Sequence, residues 1–251
     1  MSESVLVENV DGVLTITWND PERLNGLTGE MLIAATDAVE QAPDSTRVIV
    51  FAGAGRGFST GARLDAEISG TEPMDRANRL IRAVVASPVP VVAAVNGPAA
   101  GFGCSVALAA DITIAAESAY FLLPFVNIGL MPDGGATAVV AASIGRARAS
   151  AMALLGERLS ATAAADAGLI HRAVPDDDFA GEVDRLVAQL AQGAGVAYRS
   201  TKQAIAAATL GHLDAALDRE RDLQVALFST DDFAEGTTAF MQKRRPTFVG
   251  R

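Results

Sequence analysis

Short runs of consecutive apolar residues in the first half of the chain constrain its fold more than any other feature. Residues 91–95 are apolar at every position, so both faces of a strand formed there must be covered. Residues 47–52 form a similar β-branched run that ends at the glycine-rich residues 53–57. Strands buried on both faces are typical of parallel sheets with helices packed on them. The sequence therefore predicts an α/β protein.

The segments between these runs have helical periodicity. Residues 13–18 alternate as a strand does, whereas residues 29–41 and 75–87 repeat apolar side chains at helical spacing. A small-residue helix is predicted at 99–110 and a strand at 112–115, so repeating β-β-α units with parallel pairing are expected. Beyond Gly134 the sequence predicts helices almost throughout, at 146–155, 163–167, 177–192, 198–208 and 213–228.

Composition limits the class of protein. A length of 251 residues with 50% apolar and 20% charged side chains predicts one globular domain with a sizeable core. A net charge of -10 argues against nonspecific nucleic-acid binding, which needs clustered Lys and Arg. Cys104 is the single cysteine, which excludes an intramolecular disulfide and a cysteine metal cluster within one chain. We expect a soluble, cytoplasmic protein, since residues 1–4 lack the features of a secretory signal and no apolar run reaches the ~20 residues that span a bilayer.

Two glycine-containing turns are candidate anion sites. One covers residues 57–65, after a predicted strand, and the other covers residues 96–105, between a strand and a helix. Both could present backbone N–H groups to an anion, and the second also opens a helix whose N-terminus favours negative charge. The alternative is that the glycines mark only tight turns and close packing. Neither turn has the P-loop ending or the dinucleotide-binding pattern, so nucleotide hydrolysis and hydride transfer are not supported.

Other candidate constellations are weaker. His171 and His212 are the two histidines, and no nucleophile elbow surrounds Ser105, so neither a hydrolase triad nor a zinc site is predicted. No metal is expected. Three acids after the first glycine turn are candidates for a second acid, with solvated loop charges as the alternative: Asp65, Glu67 and Glu72.

Six segments together resemble the enoyl-CoA hydratase/isomerase (crotonase) superfamily. They follow the family's order and spacing and cover essentially the whole chain. They are residues 21–27 (Pro-Glu-Arg-Leu-Asn-Gly-Leu), 53–62 (Gly-Ala-Gly-Arg-Gly-Phe-Ser-Thr-Gly-Ala), 90–97 (Pro-Val-Val-Ala-Ala-Val-Asn-Gly), 109–112 (Ala-Ala-Asp-Ile), 130–135 (Leu-Met-Pro-Asp-Gly-Gly) and 240–248 (Phe-Met-Gln-Lys-Arg-Arg-Pro-Thr-Phe).

The resemblance implies a crotonase-type spiral of β-β-α repeats at residues 1–195 and a C-terminal helical trimerisation region at 196–251. It implies a homotrimer, with a dimer of trimers as the alternative, and an acyl-CoA thioester as the partner molecule. The thioester oxygen would lie between two backbone N–H groups, which map to Ala62 and Phe102. Coenzyme A would enter as part of the substrate, and no permanently bound cofactor is expected.

The chain departs from the family pattern at two catalytic positions. Family hydratases have glutamates where this chain has Ser105 and Phe125, and hydration needs one group to activate water and another to deliver a proton. Ordinary hydratase activity is therefore disfavoured. Phe102 replaces the usual glycine or alanine, but because the donor is main chain the oxyanion hole is expected to remain.

Asp133 is the remaining candidate base. Its Pro-Asp-Gly context resembles that of the phenylacetate-pathway epoxide and enoyl-CoA isomerases, which lack the hydratase glutamates. One buried carboxylate suffices to move a proton between two carbons. The alternative is that Asp133 caps the helix that follows it.

The resemblance also implies a set of substrate-binding residues and a function. Arg63 stands where the family usually has aspartate, so it is expected either to touch a CoA phosphate or to pair with a neighbouring acid. The predicted function is enoyl-CoA isomerisation, with a noncatalytic acyl-CoA-binding protein or another enolate reaction as alternatives. The expected substrate-binding residues are Arg23, Leu24, Gly61, Arg63, Leu64, Gly101, Ser105, Leu123, Phe125, Lys243 and Phe248.

Overall fold

The structure is a computed structural model that describes residues 4–64 and 69–251. Its strands are β1 Val5–Val10, β2 Val13–Trp18, β3 Val48–Gly53, β4 Val91–Val95, β5 Ala99–Ala100, β6 Ile112–Ala116, β7 Tyr120–Leu122, β8 Leu159–Ser160 and β9 Arg172–Val174. Its helices are α1 Gly29–Glu40, α2 Glu72–Ala86, α3 Phe102–Ala109, α4 Ala136–Leu155, α5 Ala161–Asp166, α6 Phe179–Gln192, α7 Gly195–Thr209, α8 Leu213–Leu227 and α9 Asp231–Met241. Short 3-10 turns lie at Pro21–Arg23, Phe125–Ile128 and Asp176–Asp178.

The main sheet has six strands in the order β1-β2-β3-β4-β6-β9. β1 and β2 are antiparallel, and every later pair is parallel. A second sheet of three strands, in the order β5-β7-β8, lies on the connections that follow β4 and β6. The mixed α/β architecture expected from the sequence is confirmed.

Helices cover both faces of the central strands. Ile49 and Phe51 belong to the larger apolar core, together with side chains of α1, α2 and α3. Val50 and Val92 point to the other face, where they pack with Leu186 of α6. Because a strand alternates its side chains, a strand covered on both faces is apolar throughout.

Several predicted boundaries are wrong. The helix predicted at 99–110 begins at Phe102, because Ala99 and Ala100 form β5. The helix predicted at 146–155 is the second half of α4, which begins at Ala136 and is interrupted at Gly145, where φ is 75°. Strands β8 and β9 interrupt the part of the chain predicted to be almost all helix.

Helix α4 has the length and mean hydropathy of a membrane-spanning helix, with 20 residues and a mean hydropathy of 1.3. The non-helical Gly145 divides it, and Arg146 and Arg148 follow directly. A helix that crosses a bilayer needs continuous internal hydrogen bonding and few charges. The helix is therefore weak evidence for a membrane span.

A buried lysine joins α7 to the main sheet. Lys202 Nζ donates to Asp111 Oδ2 at 2.7 Å and to the Val84 carbonyl oxygen at 3.0 Å. The same Asp111 oxygen accepts from the Val91 N–H at 2.8 Å. Burial lowers the pKa of Lys202, and the negative charge of Asp111 opposes that effect.

Replacement of Lys202 by methionine should destabilise the fold. The Lys202→Met variant keeps most of the apolar stem but leaves Asp111 without its cation, which costs about 2–4 kcal/mol for a largely buried pair. We expect the free energy of unfolding in urea to fall by that amount. Arg219→Met on the exposed face of α8 is the control and should cost less than about 0.5 kcal/mol. Equal losses in the two variants would contradict a specific role for the ion pair.

Candidate active site

Two loops meet where β3 and β4 end. The Phe58 and Ser59 N–H groups donate to the Pro98 carbonyl oxygen at 3.1 and 3.0 Å, and the Ala100 N–H donates to the Ser59 carbonyl oxygen at 2.9 Å. Carboxyl ends of neighbouring parallel strands lie at the same edge of a sheet, which is where α/β proteins bind ligands. The two glycine turns predicted as anion sites therefore form one structural unit.

Asn25 holds the first of these loops in place through hydrogen bonds. Its Nδ2 donates to the carbonyl oxygens of Ala54 and Gly57 at 2.9 and 2.8 Å. Its own carbonyl oxygen accepts from Ser59 Oγ at 2.8 Å, and that Oγ in turn accepts from the Gly61 N–H at 3.1 Å. Asn25 is fully buried with φ 56°, a conformation that asparagine tolerates better than most residues. Asn25 belongs to the family-like segment 21–27, but the sequence alone did not indicate this role.

Gly61 lies between two candidate main-chain donors. Its φ is +88°, and a Cβ at this position would lie 2.8 Å from the Ala100 carbonyl oxygen and 3.0 Å from the Phe102 nitrogen. Within the described residues, neither the Ala62 N–H nor the Phe102 N–H donates to a protein acceptor. Phe102 is also the first residue of α3, after Gly101 with φ 54°, so its N–H lies at the positive end of a helix dipole.

The turn that carries Asp133 packs directly on α3. Ser105 Oγ donates to the Asp133 carbonyl oxygen at 2.7 Å. A Cβ on Gly134 would lie 2.6 Å from Phe102 Cε2 and 2.9 Å from Ser105 Cβ, so the Phe102 ring packs against the Gly134 backbone. Ser105 and Phe102 therefore connect the candidate anion-binding loops to the candidate base.

The Asp133 carboxyl group is buried, and among the described residues only one of its two oxygens has a hydrogen-bond partner. Its exposed fraction is 8%, and Oδ2 accepts from Gln224 Nε2 at 3.1 Å. Oδ1 is buried and has no hydrogen-bond partner among the described residues. Burial raises the pKa of Asp133 to about 7, the hydrogen bond from Gln224 opposes the rise, and the negative charge of Glu220 adds to it.

The helix-cap interpretation of the Asp133 side chain is wrong. Glu220 caps α4 instead, since its Oε2 accepts from the Gly135 N–H at 2.7 Å and its Oε1 accepts from the Thr137 N–H at 2.9 Å. Thr137 Oγ1 donates to the same carboxylate. Asp133 contributes only its carbonyl oxygen, which accepts from the Ala136 N–H at 3.2 Å.

Sequence reasoning missed Glu220 and Gln224. Both are 1% exposed and lie on the buried face of α8, which also carries Leu213, Ala216 and Leu217. The sequence did contain a signal for their burial. Glu220 and Gln224 follow Leu213, Ala216 and Leu217 at helical spacing, so they lie on the same, apolar face of the helix, where side chains are expected to be buried. A buried polar residue must find a partner, and both find it in the Asp133 turn and the start of α4.

Burial of Asp133 should cost stability at neutral pH. The pKa of Asp133 is about 7 in the folded protein, above the ordinary aspartate value of 3.8, so the folded state holds the proton more tightly. The cost is absent below the unfolded pKa, grows as pH rises between the two values and is complete above about pH 7. We expect Asp133→Asn to raise the free energy of unfolding by about 2–4 kcal/mol at pH 8.5 and by almost nothing at pH 3.5, measured by urea denaturation. A pH-independent difference would show that ionisation is not the cause.

The expected substrate-binding residues of the first loop lie around Leu24. Leu24 has φ 51°, and its carbonyl oxygen accepts from the Thr60 N–H at 3.1 Å. Arg23 is exposed, and Leu64 is half-buried. Arg63 pairs with Asp20 at 3.9 Å, which answers the open question of a neighbouring acid. Contact of Arg63 with CoA stays a prediction.

The remaining expected substrate-binding residues lie in two separate parts of the structure. Leu123 and Phe125 are buried, and Phe125 opens the turn Phe125–Ile128 against which α9 packs. Lys243 and Phe248 lie in the tail after α9, which folds back because the Thr247 N–H donates to Glu235 Oε1 at 2.8 Å. The tail is also held to α9 by the Val249 and Gly250 N–H groups, which donate to the Asp232 carboxylate at 2.6 and 2.9 Å.

The rival constellations are not assembled in the described residues. The Ser105 hydroxyl donates to a backbone carbonyl oxygen, and His171 contacts the Arg172 guanidinium at 3.0 Å. No group of three or more His, Cys, Asp or Glu side chains in residues 4–64 and 69–251 could hold a metal ion. Glu72 opens α2 and pairs with Arg76. Asp65 and Glu67 lie outside the described residues.

Comparisons with known proteins agree with this architecture. Residues 8–251 match the family model described as enoyl-CoA hydratase/isomerase. A protein of Rhodobacter capsulatus named probable enoyl-CoA hydratase is 42% identical over 253 residues, covering 99% of this chain and 98% of that protein. The 1,2-epoxyphenylacetyl-CoA isomerase of Escherichia coli is 40% identical over 262 residues, covering both proteins completely.

A solved structure gives the same result for the fold. The crystal structure of an enoyl-CoA hydratase from Mycobacterium avium subsp. paratuberculosis superposes with a TM-score of 0.94 at 49% sequence identity, covering 98% of each chain. The parallel sheet, the two joined loops and the C-terminal helices are thus those of a known fold family. The chain belongs to the enoyl-CoA hydratase/isomerase (crotonase) family.

Proposed function

We propose that the protein is an enoyl-CoA isomerase in which Asp133 moves a proton between two carbons of a bound acyl-CoA. The observation that supports this proposal is the state of the Asp133 carboxyl group, which is buried, has an unpartnered Oδ1 and has its pKa raised to about 7. A general base is most effective when its pKa is close to the working pH. Asp133 has that property.

The two main-chain donors supply the other half of the mechanism. Removal of a proton from the carbon next to a thioester carbonyl leaves an enolate with negative charge on the thioester oxygen, and N–H donors aimed at that oxygen stabilise it. The N–H groups of Ala62 and Phe102 lie on the two joined loops with Gly61 between them. Asp133 would take a proton from one carbon and return it to another, which shifts the double bond with no net consumption of protons.

Hydration has weaker support in the site. Ser105 is 2% exposed and holds the Asp133 turn, and Phe125 has no proton to give. Glu220 is buried and its carboxylate oxygens accept from α4. Hydration needs one group for water and a second for the proton, and of the two buried carboxylates among the described residues, Asp133 alone has an oxygen without a hydrogen-bond partner. The relatives' names include both reactions, a probable hydratase and an isomerase.

We also propose that the protein works as a homotrimer assembled through residues 196–251, around a core of residues 1–195. Helix α7 supports this because its buried side chain is Lys202, whereas Val196 and Ile205 are 80% and 58% exposed. Apolar side chains on one helix that are this exposed in one chain favour burial against another. Sedimentation velocity of the protein should give three times the mass of the chain.

The test of the reaction is a set of three parallel assays on the purified protein. The first follows 3-enoyl-CoA substrates of several chain lengths as they form conjugated 2-enoyl thioesters, and the second follows hydration of 2-enoyl-CoA. An aryl epoxide CoA thioester is a third substrate, chosen for the name of the Escherichia coli relative. We expect isomerisation without hydration.

Other outcomes distinguish the alternatives. Hydration at a rate equal to isomerisation would contradict a lone base. Absence of turnover in all three assays, with acyl-CoA binding still measurable by calorimetry, would replace the proposal by a noncatalytic acyl-CoA-binding protein or by another enolate reaction.

A further inference from the structure

Helix α8 presents two buried polar side chains to the turn that carries Asp133. Glu220 and Gln224 are four residues apart, so they lie on the same face of the helix, and both are 1% exposed. Their partners all lie between Met131 and Thr137. A helix of the C-terminal region thus contributes side chains to the candidate active site.

The Gln224 amide is fully used, which fixes its orientation. Its Oε1 accepts from the Met131 N–H at 3.1 Å, while Nε2 donates to the Met131 carbonyl oxygen at 2.9 Å and to Asp133 Oδ2 at 3.1 Å. A flipped amide would place its oxygen against two acceptors and its NH₂ group against a donor. Gln224 therefore acts as a donor to Asp133 in one fixed geometry.

This geometry makes the two carboxyl oxygens of Asp133 unequal. Oδ2 is held by Gln224, whereas Oδ1 is buried without a partner in the described residues. We propose that Gln224 is the positioning residue for Asp133: it holds Oδ2 and leaves Oδ1 as the atom that carries the proton. The hydrogen bond from Gln224 favours the ionised carboxyl, whereas the negative charge of Glu220 favours the protonated one. The inference rests on the proposed role of Asp133 as the base.

Glu220 is a second buried carboxyl group beside Asp133. Burial raises the pKa of Glu220, and three donors at the N-terminus of α4 oppose that rise, namely the Thr137 hydroxyl, the Gly135 N–H and the Thr137 N–H. Among the elements packed on the turn, α3 has no charged residue, and α4 has none before Arg146. Glu220 is therefore the near charge that opposes ionisation of Asp133.

The two residues should shift the pH profile in opposite directions. Because the base must be ionised, kcat rises with pH through the pKa of Asp133. This rise is the acid limb of the kcat profile. Gln224→Met removes a hydrogen bond to the ionised form of Asp133 and should move the acid limb about one pH unit higher. Gln224→Glu adds a like charge as well and should move the limb further up. Glu220→Gln removes a like charge and should move it about one unit lower.

The controls are matched changes at exposed positions. Gln203→Met on α7 and Asp222→Asn on α8 repeat the chemical changes away from the turn and should leave the acid limb in place. Circular dichroism checks that each variant is folded. If Glu220→Gln does not fold, the two Gln224 variants still test the inference, because both should move the acid limb to higher pH and Gln224→Glu should move it further than Gln224→Met.

A direct titration separates this inference from the proposed reaction. The infrared C=O band of the protonated carboxyl, assigned by its loss in Asp133→Asn, reports the pKa of Asp133 in every variant without substrate turnover. The order Glu220→Gln, parent, Gln224→Met, Gln224→Glu from lowest to highest pKa supports the positioning role even if no isomerisation is found. An unchanged band in the Gln224 variants, or a pKa in Glu220→Gln that moves in the same direction as in the Gln224 variants, would overturn it, even in an active enzyme.

Discussion

Asp133→Asn should lower kcat for isomerisation of 3-enoyl-CoA by about 10²–10⁴-fold and leave the Kd for acyl-CoA nearly unchanged. The amide has almost the shape of the carboxyl group, and its oxygen can still accept the hydrogen bond from Gln224 Nε2, which the parent makes at 3.1 Å. It cannot take a proton from carbon. The main-chain donors of Ala62 and Phe102 do not depend on this side chain, so binding of the thioester oxygen is retained. Stopped-flow turnover and calorimetric binding measure the two quantities separately.

The control for this variant is Asp222→Asn, an equal change on an exposed part of α8. It should keep the parent's kcat. Full activity in Asp133→Asn would show that another group is the base. An equal loss of turnover and of acyl-CoA affinity would show instead that Asp133 shapes the pocket, because an interaction lost equally from ground and transition states does not identify a base.

The central strands were predictable because their sequence signal is local. Residues 91–95 are apolar at every position and form β4 with the predicted bounds, and residues 13–18 alternate and form β2. The edge strand β9, Arg172–Val174, was not predictable, since three residues are too few for periodicity and the strand is defined by pairing with β6. Its place in the sheet depends on a contact between residues far apart in sequence.

Helix α4 shows a different limit. Two glycines at 134 and 135 predict a turn, and the structure confirms it with positive φ at both. A helix after this turn was expected, with Asp133 as its alternative cap, but the side chain that caps it is Glu220, which lies 85 residues away from Gly135 in sequence. A helix start is recognised in sequence by a nearby capping side chain. Here the cap comes from α8, and no local pattern records it.

The candidate site likewise has some features that are local in sequence and others that depend on distant residues. The two candidate anion-binding turns were chosen from their glycines, and Asp133 from its Pro-Asp-Gly context, because these features are local in sequence. The partners of Asp133 were not, since Gln224 reaches it only when α8 packs on α2 and α4. The N-cap interpretation of Asp133 also failed for this reason. Local preference favours an aspartate cap, but a buried glutamate from another helix occupies that place.

Gly61→Ala should lower kcat by about 10²–10³-fold, the loss typical of one oxyanion donor. The added methyl would lie 2.8 Å from the Ala100 carbonyl oxygen and 3.0 Å from the Phe102 nitrogen, so one of the two loops must move. Both neighbours are backbone atoms, which cannot rotate away as a flexible side chain can. The displaced donor would stabilise the developing charge less than in the parent. Steady-state kinetics with 3-enoyl-CoA should show most of the loss in kcat rather than in KM, because the charge is largest in the transition state.

Gly168→Ala separates this effect from backbone strain. Gly168 has φ +79°, close to the +88° of Gly61, but a Cβ there would meet nothing within 4 Å. Both variants carry the cost of an L-residue at positive φ, so both should lose about 1 kcal/mol or more of unfolding free energy. The loss of kcat should occur in Gly61→Ala alone. Comparable loss of kcat in both variants would mean that general destabilisation explains the result, and the closeness of Gly61 to the Phe102 N–H would then have no catalytic significance.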